Sequence, residues 1–383
     1  MARRVVITGI GAVTPLGNTF VESWLALLEG KSGIREIEAG RHTGALKGFD
    51  PGAYLNPKEI RRLDPFIHYA IAAALMAAED AGLKGADGVV IGSSRGGISG
   101  LEAGMTGKVS AYLMPSTTIG MAASRVAGRL GIRGYCLGIS NSCSSGANAI
   151  GEAWRLIRDG HMDIMLSGGT EAPLCSLSFE GYGKTGALSG LGIMRPFDRK
   201  RDGFILSEGA CVLVLEEMKS ALKRGAVPYA ELAGYGNTVS GHETRPDGES
   251  QMTAIKDALK EAGMSPADIG YVNAHATATP EGDRVEAETI EKLFGRKTPL
   301  SANKSMTGHM LGASGAFEAG VTAMSLKMGI IPPTINLTEP EFDLNIVLKP
   351  AKAKLHAALS TSFGFGGVNA ALVVKAFGSD SVK

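Results

Sequence analysis

The feature that most restricts the fold of this chain is that the chain resembles itself. Glu79-Asp80-Ala81-Gly82-Leu83-Lys84-Gly85-Ala86-Asp87 aligns with Lys260-Glu261-Ala262-Gly263-Met264-Ser265-Pro266-Ala267-Asp268 at a constant offset of 181 residues. Each copy runs into a short apolar stretch that reads as a buried strand, Val89 to Ile91 and Tyr271 to Val272. Ser145-Gly146-Ala147 with Gly160 is echoed by Ser314-Gly315-Ala316 with Gly329 at an offset of 169, and Gly9-Ile10-Gly11 by Gly234-Tyr235-Gly236. Three echoes in one order predict two similar halves, residues 1–222 and 223–383, joined near 219–225. Strand-like and helix-like stretches alternate within them. Val5 to Thr8 reads as a strand ended by Gly9 and Gly11. Residues 64–82 read as an amphipathic helix with Ile67, Ile71, Leu75 and Met76 on one side, and 88–92 as the next strand. The fold class is therefore α/β.

Two halves packed face to face bring loops of each to one seam, and ligand sites favour such seams. The first half offers Cys143, set among small residues in Ser140-Asn141-Ser142-Cys143-Ser144-Ser145-Gly146. After it Ala149, Ala153, Leu156 and Ile157 recur at helical spacing, and Gly160 ends the run. A cysteine on the turn into a helix sits at the positive end of the macrodipole, where a thiolate is expected to be favoured. The plainer alternative is a buried cysteine packing as a small hydrophobe. The second half offers His275, in the loop 273–280, and Lys304 and His309, in the segment 301–309. A thiol with two histidines suits carbon–carbon chemistry on thioesters. The sulfur accepts an acyl group, neutral imidazoles hydrogen-bond an oxygen that becomes an enolate, and a lysine adds positive charge and fixes a histidine tautomer.

Composition narrows the class. Basic and acidic residues number 39 and 38, a net charge of +1 that favours neither nucleic acid nor an anionic membrane as partner. The four cysteines, at 136, 143, 175 and 211, form no CxxC pair, which argues against a metal site or a disulfide framework and fits a reducing cytoplasm. The apolar run after Arg4 is too short for a signal peptide or a membrane span. No GxxxxGK occurs, and Gly9-Ile10-Gly11 lacks the third glycine of a dinucleotide fingerprint.

With these residues in view, the chain resembles the β-ketoacyl-acyl-carrier-protein synthases, most nearly the elongating synthase II type of the thiolase-like superfamily. The likeness spans nearly the whole chain: residues 5–17, Arg-Arg-Leu-Asp-Pro-Phe-Ile at 61–67, the Cys143 turn and Arg-Pro-Phe-Asp-Arg-Lys-Arg-Asp-Gly-Phe at 195–204. It continues through the His275 loop, the Lys304–His309 segment and Ser-Phe-Gly-Phe-Gly-Gly-Val-Asn at 362–369. The resemblance implies a thiolase-like fold of two duplicated halves in α-β-α-β-α layers. It implies decarboxylative condensation of an acyl thioester held on Cys143 with malonyl-acyl carrier protein, in fatty-acid or related polyketide or polyene synthesis. It makes Cys143 the nucleophile, His275 and His309 the promoters of decarboxylation, and Lys304 their electrostatic support. The amides of Cys143 and Phe365 become the oxyanion hole, with Phe365 also the gate. Thr277 and Thr279 would hold the pantetheine arm, Thr244 would line the substrate channel, and Glu318 would stand near the lysine. Arg61 and Arg62 would face the acidic carrier protein. No cofactor is implied beyond the phosphopantetheine that the carrier brings. The strand in 131–139 would pair two copies into a homodimer.

Several residues depart from the family pattern. Ala276 replaces a glycine, so its turn must have φ < 0 or bear strain. Val368 replaces a threonine, Asn141 and Ser142 make the cysteine turn more polar, and the segment 100–115 is short. Arg95, in Gly92-Ser93-Ser94-Arg95-Gly96-Gly97, stands where relatives place an apolar or small residue beside the acyl chain. It is expected either to disfavour long saturated acyl chains or to turn away and pair with a carboxylate such as Glu102. Thiolases use a second, C-terminal cysteine, whereas the last cysteine here is Cys211, and type III synthases have asparagine where His309 stands. A non-catalytic, chain-length-shaping partner subunit of a heterodimer is the remaining alternative, against which Cys143 counts.

Overall fold

The structure is a computed structural model that describes residues 3–38, 40–107, 109–241 and 245–378. Among the described residues, ten strands form one hydrogen-bonded sheet. The first half supplies β1 (Val5–Val13), β2 (Gly88–Gly92), β3 (Tyr135–Ile139), β4 (Ile164–Glu171) and β5 (Gly209–Glu217). The second supplies β6 (Ala230–Val239), β7 (Val272–Asn273), β8 (Leu300–Ser301), β9 (Ala357–Phe363) and β10 (Val368–Ala376). Outward from the middle the two halves read β1-β5-β4-β2-β3 and β6-β10-β9-β7-β8. The ladders agree as well: in each half the two inner pairings are antiparallel and the two outer ones parallel. The halves meet where β1 runs antiparallel to β6 over only three pairs, Val5 with Leu232, Val6 with Glu231 and Ile7 with Ala230.

Six helices complete the layers. On the outer faces, α1 (Pro65–Asp80) packs on β1 and β5 and α2 (Met121–Leu130) on β2 and β3; their counterparts α4 (Gly248–Glu261) and α5 (Pro280–Phe294) flank the second half. Between the halves lie α3 (Ser145–Arg158), which touches β4 and β6, and α6 (Ser314–Met328), which touches β5 and β9. Both inner helices belong to one buried apolar cluster with residues of both halves, such as Ile150, Trp154, Tyr235 and Phe317.

The sequence echoes mark contacts. A Cβ at Gly9 would lie 2.3 Å from the carbonyl oxygen of Ala77, and one at Gly234 2.1 Å from that of Ala258. Gly11 and Gly236 meet Ala73 and Ala254 in the same way, at 2.1 and 1.9 Å. Both G-x-G motifs therefore let a strand touch the backbone of its outer helix. For this reason Gly9 and Gly11 do not end the strand: β1 continues to Val13 through a register shift between Ile7 and Gly9. The second echo is a helix crossing. A Cβ at Gly146 would lie 3.1 Å from the Ala316 Cβ, and one at Gly315 3.1 Å from the Ala147 Cβ, so α3 and α6 touch reciprocally at their first turns. The expected amphipathic helix 64–82 is instead buried on most of its surface, including Phe66 to Ala74, with Asp64 as its N-cap accepting from the Phe66 amide. At one sheet edge β3 pairs only with β2, and Cys136 and Leu137 on it are exposed. No helix among the described residues is long and apolar enough to cross a membrane.

Candidate active site

Cys143 lies on the sharp turn between β3 and α3. Ser142 takes φ +50°, a left-handed conformation that a serine adopts only where its surroundings enforce it. The enforcement comes from the second half and from within the turn itself. The Ser144 hydroxyl donates to the carbonyls of Ser362 and Val368, at 3.1 and 2.8 Å, and the Ser145 hydroxyl to that of Ser142 at 2.6 Å. The loop after β9 lies directly on the turn, since a Cβ at Gly364 would come 3.1 Å from the Asn141 carbonyl oxygen. From that loop the Phe365 amide favours the anionic form of the Cys143 sulfur.

The sequence reading expected a thiolate favoured by the helix end, and the structure corrects this. Burial pushes the Cys143 thiol up to about 11, against the opposing pull of Lys304, Arg95 and the Phe365 amide. A buried sulfur loses hydration that its anion needs more than its neutral form does. The thiol must therefore surrender its proton during reaction, and His309 Nε2 stands 3.1 Å from it.

His309 is held by its backbone, which bridges Ile205 and Ser207, and by Phe204, whose ring meets the imidazole edge-on at 5.1 Å. Its Nδ1 lies 3.2 Å from the Ser314 hydroxyl, which can donate or accept and so accommodates either tautomer. His275 sits across from it, ring centroids 5.4 Å apart. Lys304, fully buried, donates to His275 Nδ1 at 3.2 Å, to the His275 carbonyl at 2.6 Å and to Glu318 at 2.6 Å. An ammonium has no acceptor, so Nδ1 of His275 takes the hydrogen bond and its proton sits on Nε2. Burial, followed by the Lys304 charge, lowers both imidazoles well below the usual histidine range, so both are neutral at pH 7. Glu318 is the ion-pair partner of Lys304. Burial holds it up at about 7 although Lys304 draws it down.

These groups open on a cavity of about 500 Å³, whose wall includes Cys143, Phe204, His275, Thr277, Thr279, His309 and Phe365. The hydroxyls of Thr277 and Thr279 are 3.0 Å apart. Thr244 lies outside the described residues; Arg245 to Asp247 beside it line the same cavity. Arg61 is exposed on the helix Pro57–Arg62, and the Arg62 guanidinium covers the Tyr112 ring at 4.2 Å. Arg95 does not pair with Glu102, which instead accepts from the Ser176 and Leu177 amides at 3.2 and 2.6 Å. Its Nε donates to the Tyr182 hydroxyl at 2.9 Å.

Ala276 does bear the strain foreseen for it, at φ +34°. The residue that holds it there escaped the sequence reading. Glu286, on α5, accepts from the amides of His275 and Ala276 at 2.8 and 2.7 Å and from Thr361 at 2.8 Å. Asp283 does the same for Ala278, at 2.9 Å, and for Phe197, at 2.8 Å. Glu171 likewise accepts from the amides of Ser94, Arg95 and Gly312, at 2.7, 2.9 and 2.9 Å. Glu171 ends an otherwise uncharged strand, a signal that would have exposed it, whereas Asp283 and Glu286 lie among the many charged residues of α5 and nothing in the sequence singles them out.

The chain as a whole is similar to known proteins. Residues 2–221 match the model of the β-ketoacyl synthase N-terminal domain and residues 229–338 that of its C-terminal domain. The 3-oxoacyl-[acyl-carrier-protein] synthase 2 of Vibrio harveyi is 42% identical, over 97% of this chain and 98% of its own. The ishigamide ketosynthase/chain length factor superposes with a TM-score of 0.93 at 31% identity, over 99% of this chain and 100% of its own. A type II polyketide ketosynthase solved with its acyl-carrier protein and bound to a hexaketide, AntDE:AntF, superposes with a TM-score of 0.89 at 31% identity, covering 98% and 100%.

Proposed function

We propose, from the premise that this chain belongs to the β-ketoacyl synthase family, that it joins an acyl group held on Cys143 to the enolate of a malonyl thioester. The products are carbon dioxide and a 3-oxoacyl thioester. The observation that carries the reading is the convergence of Cys143, His309 and the Lys304-held His275, from both halves, on one cavity.

In the first step the Cys143 sulfur attacks the thioester carbonyl of an acyl carrier protein. A carbon–sulfur bond forms, and the carrier sulfur leaves with the proton that Cys143 gave up by way of His309. The oxyanion of the tetrahedral intermediate lies between the amides of Cys143 and Phe365, donors of the kind whose loss typically costs roughly 100- to 1,000-fold in rate. In the second step the bond from the malonyl carbon to its carboxylate breaks, leaving its electron pair in an enolate. The His275 Nε2–H and the His309 ring donate to the enolate oxygen, and their neutrality keeps them donors that do not over-protonate it. The enolate carbon then attacks the acyl carbonyl on Cys143, the carbon–carbon bond forms, and the carbon–sulfur bond breaks. The sulfur leaves as a thiolate and takes up a proton from solvent, the first having gone with the carrier sulfur.

Thr277 and Thr279 hold the pantetheine arm along the cavity wall. Arg61 and Arg62 meet the acidic carrier protein. The chain brings no cofactor of its own, works in the cytoplasm, and pairs as a homodimer through the edge of β3; an obligate heterodimer with a related non-catalytic subunit is not needed by a chain that carries its own nucleophile.

Intact-protein mass measurement tests the reading. Wild-type protein incubated with an acyl carrier should gain one acyl mass on Cys143. Cys143→Ala should form no 3-oxoacyl product, and Cys143→Gln should still release carbon dioxide from malonyl thioester without condensing it. Condensation by Cys143→Ala at the wild-type rate refutes the scheme.

A further inference from the structure

Arg95 lies beside the cluster that holds Cys143, through its bond to Tyr182, and carries donors that the reaction itself does not require. The loop that carries it is fixed: the Ser94 and Arg95 amides and the Ser93 hydroxyl, at 3.0 Å, all bond to the buried Glu171. Gly96 then takes φ +56° and turns the chain back beneath Thr117. The side chain extends over Tyr182, with Nε bonded to the hydroxyl and the guanidinium carbon 5.4 Å from the ring centroid. Tyr182 is itself buried, edge-on to Phe204 at 5.6 Å, and Phe204 is edge-on to His309. Cys143, Tyr182 and Phe204 belong to one apolar cluster, and the Arg95 charge reaches the sulfur. The cavity described above is lined by Cys143 and Phe204 but by neither Arg95 nor Tyr182, so the pair borders the nucleophile from outside it. Only Nε is spent. Nη1 and Nη2 have no acceptor among the described residues, and the side chain is exposed.

We infer that Arg95, positioned by Tyr182, is a specificity-determining residue that selects acyl groups bearing an oxygen acceptor, a ketone, hydroxyl or carboxylate, within the first few carbons of the chain bound to Cys143. The inference rests on the proposed acylation of Cys143. A saturated chain that slides past a guanidinium strips its water and offers nothing in return. A chain with a carbonyl or carboxylate oxygen replaces that water with a charge-assisted hydrogen bond. The two remaining nitrogens form a planar fork, which a carboxylate meets with two oxygens and a ketone with one.

The test measures Cys143 acylation by intact mass over time, with pantetheine thioesters of four acyl groups: butyryl, octanoyl, 3-oxobutanoyl and succinyl. Wild-type protein should take 3-oxobutanoyl or succinyl roughly 10- to 100-fold faster than butyryl, the selectivity that one hydrogen bond to a charged group supports. Octanoyl should be slowest. The ratio of succinyl to 3-oxobutanoyl tells whether the fork prefers an anion or a neutral ketone. Arg95→Ile should abolish the preference and raise octanoyl, Arg95→Lys should keep part of it, and Tyr182→Phe, which frees the guanidinium to wander, should weaken it at unchanged thermal midpoint. Adducts that form with equal rates for butyryl and 3-oxobutanoyl, or a preference that survives Arg95→Ile, overturn the inference and leave the proposed function standing. No adduct from any of the four overturns both.

Discussion

At the scale of single residues, the site is governed by desolvation. Cys143, His275 and His309 are all buried, and burial favours the neutral form of each. The reactive set at pH 7 is thus a thiol beside two neutral imidazoles. The sign of the pH dependence follows. Below about 11 the thiolate fraction of Cys143 grows about tenfold per pH unit, so alkylation by iodoacetamide in the free protein should rise steadily from pH 6 to 9. A plateau reached by pH 7 would mean that the helix end, and not burial, controls the sulfur. His309 makes a second prediction. It touches the sulfur in the first step and the enolate oxygen in the second, so His309→Ala should slow acylation by about tenfold or more and condensation by considerably more. Single-turnover acylation at the wild-type rate would remove His309 from the first step.

At the scale of elements, the turns that carry the chemistry are held by buried carboxylates on neighbouring elements. Glu286 on α5 takes the amides of His275 and Ala276 together, which stabilises the positive φ of Ala276. Glu286→Gln keeps the shape but replaces one acceptor oxygen with a donor facing an amide. Condensation should fall at least tenfold while acylation of Cys143 stays near wild type, because the thiol and His309 do not depend on that turn. Equal loss in both steps would point to general disorder of the site. The paired G-x-G contacts make a symmetric prediction. Gly11→Ala and Gly236→Ala each push a methyl into a helix carbonyl, and should each lower stability by roughly 1–3 kcal/mol, read as similar drops in thermal midpoint. A large drop for one and none for the other would break the equivalence of the halves.

At the scale of the molecule, the two halves share one buried apolar cluster around α3 and α6, and the site is assembled across it. Neither half holds the whole set: Cys143 belongs to one, and His275, Lys304, His309 and Phe365 to the other. The open edge of β3 sits next to the strand that leads into Cys143, and an unpaired strand edge with exposed Leu137 invites a second copy. Leu137→Lys should shift the protein toward a single chain mass in light scattering, with loss of activity at low concentration. An unchanged dimer would place the contact elsewhere.

Much of this was legible in the chain. The repeated Gly and Ala spacings announced two equivalent halves because a strand can touch a helix backbone only where no Cβ intervenes, and such positions cannot drift without a clash. Cys143, His275, Lys304 and His309 were legible because they lie in short segments whose composition, small residues, glycine and polar side chains, makes poor core and good turn. What only the tertiary structure decided were relations between groups distant along the chain. Lys304 chooses the tautomer of His275, Glu318 balances Lys304, Glu286 folds back on the loop ten residues before it, and Glu171 anchors a loop far away in sequence. The partner of Arg95 proved to be Tyr182 and not Glu102, since the loop after β2, anchored on Glu171, meets the Ser176–Lys184 helix there by packing alone. The thiol of Cys143 is set by how deeply it is buried, a quantity that no local pattern of residues encodes.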